Sequence, residues 1–195
     1  LDPSEITPEM ITCARMLHID GHDTAAVGRA AAIARQHNIP VTVDVDTVYH
    51  GFDKVLPNVD YLVTSSEFPV RWTGEGDPFR ALIMIQEEYG MKVAAMTLGS
   101  FGSIARMDGK FSYSPAFVVN CVDTTGAGDV FHGAFCYGVL QNMSLRETLD
   151  LSNAMAALNC TAIGARGGIQ DLAAAKSLMA RAERRTNRDF EQRAL

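Results

Sequence analysis

The chain has 195 residues, 47% hydrophobic and 21% charged, with a formal net charge of −6 at neutral pH. That composition supplies one sizeable core and excludes disorder along the whole length. With acidic residues outnumbering basic ones, 23 to 17, a dedicated nucleic-acid binder is also excluded, since such proteins rely on many Lys and Arg contacts to phosphate. Small phosphorylated ligands stay open, because a few backbone N–H groups can hold them. No apolar run approaches the roughly 18–20 residues that span a bilayer. The opening Leu1-Asp2-Pro3-Ser4-Glu5 lacks the pattern of a signal peptide and an initiator methionine, which suits a cytoplasmic protein of which this is a piece. Cys13, Cys121, Cys136 and Cys160 form no CxxC pair and are expected as buried, reduced thiols.

In chain order, Arg15 to Ile19 reads as a short buried strand ending at Asp20-Gly21. An Ala-rich helix follows over about 24–37, with Ala26, Ala30, Ile33 and Ala34 at helical spacing, stopped by Asn38-Ile39-Pro40. Val41–Val45 and Tyr61–Val63 read as strands, the second preceded by the turn-rich Leu56-Pro57-Asn58. Asp77-Pro78 opens a helix through Glu88, and Lys92 to Thr97 makes a fourth strand. Two short runs flank Asp108-Gly109, a hairpin signal. After Val118-Val119 a Gly-rich turn leads into a helix over about 127–140, and Ser144-Leu145-Arg146-Glu147 is a capping box for another, running to about Ala162. Strands alternating with helices predict an α/β fold, a mainly parallel sheet covered by helices on both faces. From Ala173 the tail is helical by composition and carries Arg181, Arg184, Arg185, Arg188 and Arg193. It reads as a solvated or fraying helix, with a partner-binding helix as the other reading.

The segment from Val122 to Phe135 carries the chemistry. An apolar strand ends at small residues and a helix begins at once, with Gly126, Ala127 and Gly128 leaving N–H groups at the helix N-terminus. Those donors and the helix dipole make an anion site. Asp129, in the first turn, can take a proton from a hydroxyl while the amides stabilise charge on a transferring phosphoryl group. An ordinary strand–turn–helix joint with a dipole-compensating Asp explains a bare GxGD equally well. Gly133, one turn on, is read as letting the helix pack closely on the sheet.

Asp123-Thr124-Thr125-Gly126-Ala127-Gly128-Asp129, followed by Phe131-His132-Gly133-Ala134, closely resembles the C-terminal signature of the ribokinase-like carbohydrate kinases, the PfkB family. The resemblance extends from about Met16 to Asp171. It implies an ATP-dependent sugar kinase with Asp129 as general base and the Gly126, Ala127 and Gly128 amides as the anion hole. It divides the chain into a nucleotide-binding and catalytic part of a ribokinase-like domain, residues 1–172, and a helical tail, residues 173–195. Thr97-Leu98-Gly99 with Gly102 looks like the family's nucleotide-contacting segment, although a glycine turn into a hairpin accounts for the same residues. Asn153 resembles the residue at the adenine edge, or else a polar helix face.

Asp123 and Thr125 resemble positions that hold a monovalent cation, potassium, in activated relatives. Glu67 stands where the family shows N-x-x-E, a motif that organises magnesium and phosphate through water; here it reads Thr64-Ser65-Ser66-Glu67, so Thr64 replaces the Asn. Magnesium is still expected, since bound ATP supplies most of its ligands. His132 is read as packing or supporting structure. The family's N-terminal sugar contacts, glycine-pair motif and β lid are not recognisable, which predicts open sheet edges and exposed apolar surface. The resemblance implies a small sugar as partner, no nucleic acid or membrane, and is compatible with a homodimer. A nucleoside kinase is the alternative within the family, and a non-catalytic nucleotide- or metabolite-binding module the alternative outside it.

Overall fold

In the computed structural model, which describes residues 1–194, the strand–helix alternation expected from the sequence is present. It falls into two units that meet between Met96 and Thr97. The residues after 172, expected as a helical tail, belong to the second of these units.

The first unit begins with α1 (Pro8–Thr12), β1 (Leu17–Asp20) and α2 (Thr24–Gln36), and continues through β2 (Val41–Val45) and β3 (Tyr61–Ser65). Then come α3 (Phe68–Thr73), α4 (Pro78–Tyr89) and β4 (Val93–Thr97). β1 and β2 pair parallel with Ile19 opposite Val43, and β2 and β3 pair parallel with Val43 opposite Leu62. β4 follows beside β3. α2 packs on β1 and β2 through the face predicted from its spacing, Ala26, Ala30, Ile33 and Ala34, all buried. Asp23 caps it by accepting the Ala26 N–H at 3.3 Å.

β2 shows the near-continuous burial of a strand covered on both faces. β1 ends the strand order, and of its four residues Ile19 alone is buried, so the strand expected to be buried is largely uncovered because it has a neighbour on one side only. Between β2 and β4 the buried Asp60 carboxylate accepts the Val41 N–H at 3.0 Å and pairs with Lys92 at 3.2 Å. The short α3 was not foreseen. It holds Phe68 and Trp72 against Phe52, with ring centroids 5.7–6.2 Å apart, a cluster that local periodicity does not reveal.

The second unit holds β5 (Ser103–Met107), β6 (Lys110–Ser114), β7 (Ala116–Phe117), α5 (Ala127–Leu140) and α6 (Leu145–Asn159). It ends with α7 (Leu172–Arg181), β8 (Arg184–Arg185) and α8 (Arg188–Arg193). β5 and β6 form the expected antiparallel hairpin. Its two turn residues, Asp108 and Gly109, both have positive φ, 50° and 78°, as a type I′ turn requires. The capping box forms as predicted, with the Ser144 N–H donating to Glu147 Oε2 at 2.9 Å and the Glu147 N–H to Ser144 Oγ at 3.3 Å. The helix ends at Asn159 instead of Ala162. α5 and α6 approach closely at Gly138, where a Cβ would lie 2.8 Å from the Thr148 side chain.

The tail departs from its sequence reading. α7 buries Ala175 beside Leu151, Ala154 and Phe117, and the chain then returns as β8 to pair antiparallel with β7. The cysteines also differ from expectation: Cys13 and Cys121 are exposed, Cys136 and Cys160 partly buried, and all four are free thiols.

Candidate active site

The glycine-rich turn before α5 is shaped by its own backbone. Gly126, the N-cap, sits at φ 74°, a left-handed conformation in which a side chain is strained. A Cβ there would lie 2.4 Å from the Ala165 carbonyl oxygen. The turn is pinned further by Asp123, whose carboxylate accepts the Thr125 N–H at 2.9 Å, the Thr125 hydroxyl at 2.7 Å and the Gly164 N–H at 2.8 Å. These donors, Gly164 first, hold the Asp123 carboxyl below the usual carboxylate range. Asn159, buried at the end of α6, donates to the Thr125 carbonyl at 3.1 Å. Sequence reading overlooked Asn159, since an amide near a helix end has no local signature.

At the start of α5 the Ala127 N–H donates to the Thr124 carbonyl at 3.1 Å, so its amide is engaged inside the turn and does not face a ligand. The outward donors are those of Gly128 and Asp129, the second and third positions of the helix, which have no intrahelical acceptor. Gly128 is exposed, and a Cβ on it would meet nothing within 4 Å. The space beside its Cα is open.

The N-terminus of α5 stands between two cavities of the second unit. On one side is a cavity of about 260 Å³, whose walls include Gly99, Val119, Thr124, Ala127, Asn153 and Ala157. On the other is a larger one of about 560 Å³, lined by Asp129, Gly133, Tyr137, Met155, Arg166 and Leu172 among others. The exposed Asp129 carboxylate belongs to the second cavity. Gly133 faces the same space, and a Cβ there would meet nothing within 4 Å. Its expected role in tight packing on the sheet is therefore not the one it has. His132 points the other way and is buried, in keeping with a packing role.

Of the remaining sequence-derived positions, Gly99 and Asn153 join Thr124 and Ala127 around the smaller cavity. The Asn153 side-chain nitrogen is turned toward the hairpin, donating to Ser103 Oγ at 3.0 Å, the Ser114 carbonyl at 2.9 Å and Ser114 Oγ at 2.7 Å. Gly102, at φ 97°, permits a backbone crossing, since a Cβ would lie 2.1 Å from the Ser114 oxygen. Neither Gly102 nor Thr97 contributes to the cavity wall. Glu67 lies in the first unit, exposed at the start of α3, where its carboxylate pairs with Arg71. Thr64, in the place of the motif's Asn, is buried and donates to the Ser65 carbonyl at 2.7 Å. Among the described residues, no group of three or more His, Cys, Asp or Glu is placed to hold a metal ion, and no helix is long and apolar enough to cross a membrane.

The glycine-rich N-terminus of α5 thus has the Asp129 carboxylate and the larger cavity on one side and the smaller cavity on the other. Residues 3–172 match the model of the pfkB family carbohydrate kinases, and the chain belongs to that family. It is 34% identical over 124 residues to a ribokinase of Lactococcus lactis, a match covering 64% of this chain and 40% of the relative. It is 26% identical over 179 residues to 5-dehydro-2-deoxygluconokinase 2 of Bacillus cereus, covering 81% and 54%. The structure of Arabidopsis thaliana ribokinase complexed with ribose and ATP superimposes with a TM-score of 0.76 at 25% identity, covering 88% of this chain and 58% of that one. The chain thus spans about half the length of its curated relatives.

Proposed function

We propose that this chain supplies the nucleotide-binding and proton-abstracting part of an ATP-dependent carbohydrate kinase. The observation that carries the reading is the placement of the α5 N-terminus between two cavities, with Asp129 on the side away from Thr124 and Asn153. The smaller cavity takes the nucleotide, with its phosphates toward α5. The outward amides of Gly128 and Asp129, reinforced by the helix dipole, receive the negative charge of the transferring group. A sugar hydroxyl approaches from the other side, and Asp129 accepts its proton as the oxygen attacks the terminal phosphorus of ATP. ADP departs, and the new phosphate ester remains on the sugar. Family relatives named for two different sugars leave the particular sugar open. The larger cavity's walls are mostly apolar and offer a polyol few hydrogen-bond partners beyond Asp129, Tyr137 and Arg166.

Magnesium fits this arrangement as a companion of the nucleotide. It would be held mainly by phosphate oxygens and water; Glu67, the residue the family resemblance assigns to it, belongs to the first unit and pairs with Arg71. For potassium the local geometry adds no support, since both Asp123 carboxylate oxygens already accept hydrogen bonds. The direct test is calorimetric titration of the chain with ATP and magnesium, alongside Gly128→Val. Binding by the parent chain and its loss in a folded Gly128→Val variant are expected; equal binding by both removes the α5 amides from the site.

A further inference from the structure

The family match ends at residue 172, yet the residues that follow return to the proposed nucleotide cavity. After α7 the Val118 N–H donates to the Glu183 carbonyl at 2.9 Å, and β8 pairs with β7, placing Arg184 opposite Phe117 and Arg185 opposite Ala116. Two anchors fix this segment. On one side of Arg185, the Arg184 guanidinium lies 4.0 Å from the Phe117 ring centroid, donates to Ser114 Oγ at 3.0 Å and pairs with Asp150. On the other, Phe190 of α8 packs edge-on against Phe101 and Tyr113, with centroids 6.1 and 5.7 Å away.

Successive side chains of a strand point to opposite faces. Holding Arg184 inward therefore turns Arg185 outward, where it forms part of the wall of the smaller cavity. Arg185 is exposed, and among the described residues no carboxylate lines that cavity.

We infer that Arg185 is a nucleotide-contacting residue that lies against the heterocyclic base, so that the tail completes the nucleotide cavity. The inference rests on the reading of that cavity as the ATP site. Base and not phosphate follows from the order of the wall. Its segment runs from Ala116, paired with Arg185, through Phe117, Val118 and Val119 to Thr124 and Ala127 at the α5 N-terminus. The phosphates belong at the helix end, which leaves the base at the Arg185 end, beside apolar walls suited to a flat ring. A guanidinium is planar, always charged and weakly hydrated, and it stacks on aromatic faces.

The test titrates the full chain, Arg185→Ala and Arg185→Lys with ATP, adenosine and inorganic tripolyphosphate in turn. The exposed side chain leaves folding unaffected, which a thermal melt checks. In Arg185→Ala, affinity for ATP and for adenosine falls by the same factor, about 5-fold, while tripolyphosphate binding is unchanged. Lysine, lacking the planar face, restores only part of the loss. Unaltered ATP binding in Arg185→Ala overturns the assignment, as does a loss confined to ATP and tripolyphosphate, which would place the guanidinium on the phosphates. A parent chain that binds none of the three overturns the nucleotide reading itself.

Discussion

Asp129 and Gly128 are neighbours in one helical turn, and the proposed reaction gives them separable parts. Asp129 is exposed beside the larger cavity, and its proposed role is confined to the acceptor hydroxyl. In the active kinase Asp129→Asn is expected to lower kcat by about 100-fold or more with little change in ATP affinity, the pattern of a lost general base; near-normal turnover would remove Asp129 from the reaction. The two glycines also part company. Gly126→Ala forces a side chain into a positive-φ site 2.4 Å from a carbonyl oxygen, so its effect is on folding, seen as a lowered Tm. Gly128→Val meets open space, so it keeps the melt and loses anion binding. Sequence spacing marked both glycines alike, because the GxG pattern encodes a tight turn without saying which residue supports it and which faces a ligand. The Ala127 amide was expected to face the anion for the same reason, and only the hydrogen bond to Thr124 removes it.

At the scale of elements, legibility follows the range of the interactions involved. The hairpin at Asp108-Gly109, the capping box at Ser144 and the buried stripe of α2 are local patterns, and each formed where the sequence placed it. β7 and β8 are two residues each and pair across the intervening helices, so no window of sequence contains the signal. Arg184 looked like one more solvated charge in a basic tail, whereas it is a partly buried ion-pair partner of Asp150. Asp150 also accepts from Ser114 Oγ at 2.6 Å and Arg146 at 3.1 Å. Asp150→Ala leaves the partly buried Arg184 charge without its carboxylate, and a loss of about 1–2 kcal/mol is expected in denaturant unfolding; a loss below about 0.5 kcal/mol would show that the tail is not held there. The Asp123 staple carries a pH signature. Its folded carboxyl sits below the usual range, so its stabilisation is present above pH ~4 and disappears as pH falls through the folded value. Asp123→Ala is expected to lower stability at neutral pH and to flatten the acid limb of the stability–pH curve, with both proteins converging at the lowest pH.

For the molecule as a whole, half the length of its relatives sets what can be asked of it. The second unit holds the proposed base, the proposed anion-binding amides and the smaller cavity. The larger cavity, in contrast, offers a sugar few polar partners, and β1 ends the strand order with three of its four residues not buried. Phosphoryl transfer depends on positioning the acceptor and excluding water, and positioning supplies a large part of the rate enhancement. Residues 1–195 alone are therefore expected to bind ATP while phosphorylating no sugar at a useful rate, and to associate at higher concentration through the β1 edge. The decisive measurement assays this chain beside a protein carrying the additional length found in its relatives, against a panel of sugars with ATP and magnesium. Sedimentation of both reports the association. Equal turnover would show that the sugar contacts lie within these 195 residues and that the apolar cavity beside Asp129 is, despite its walls, where the acceptor binds.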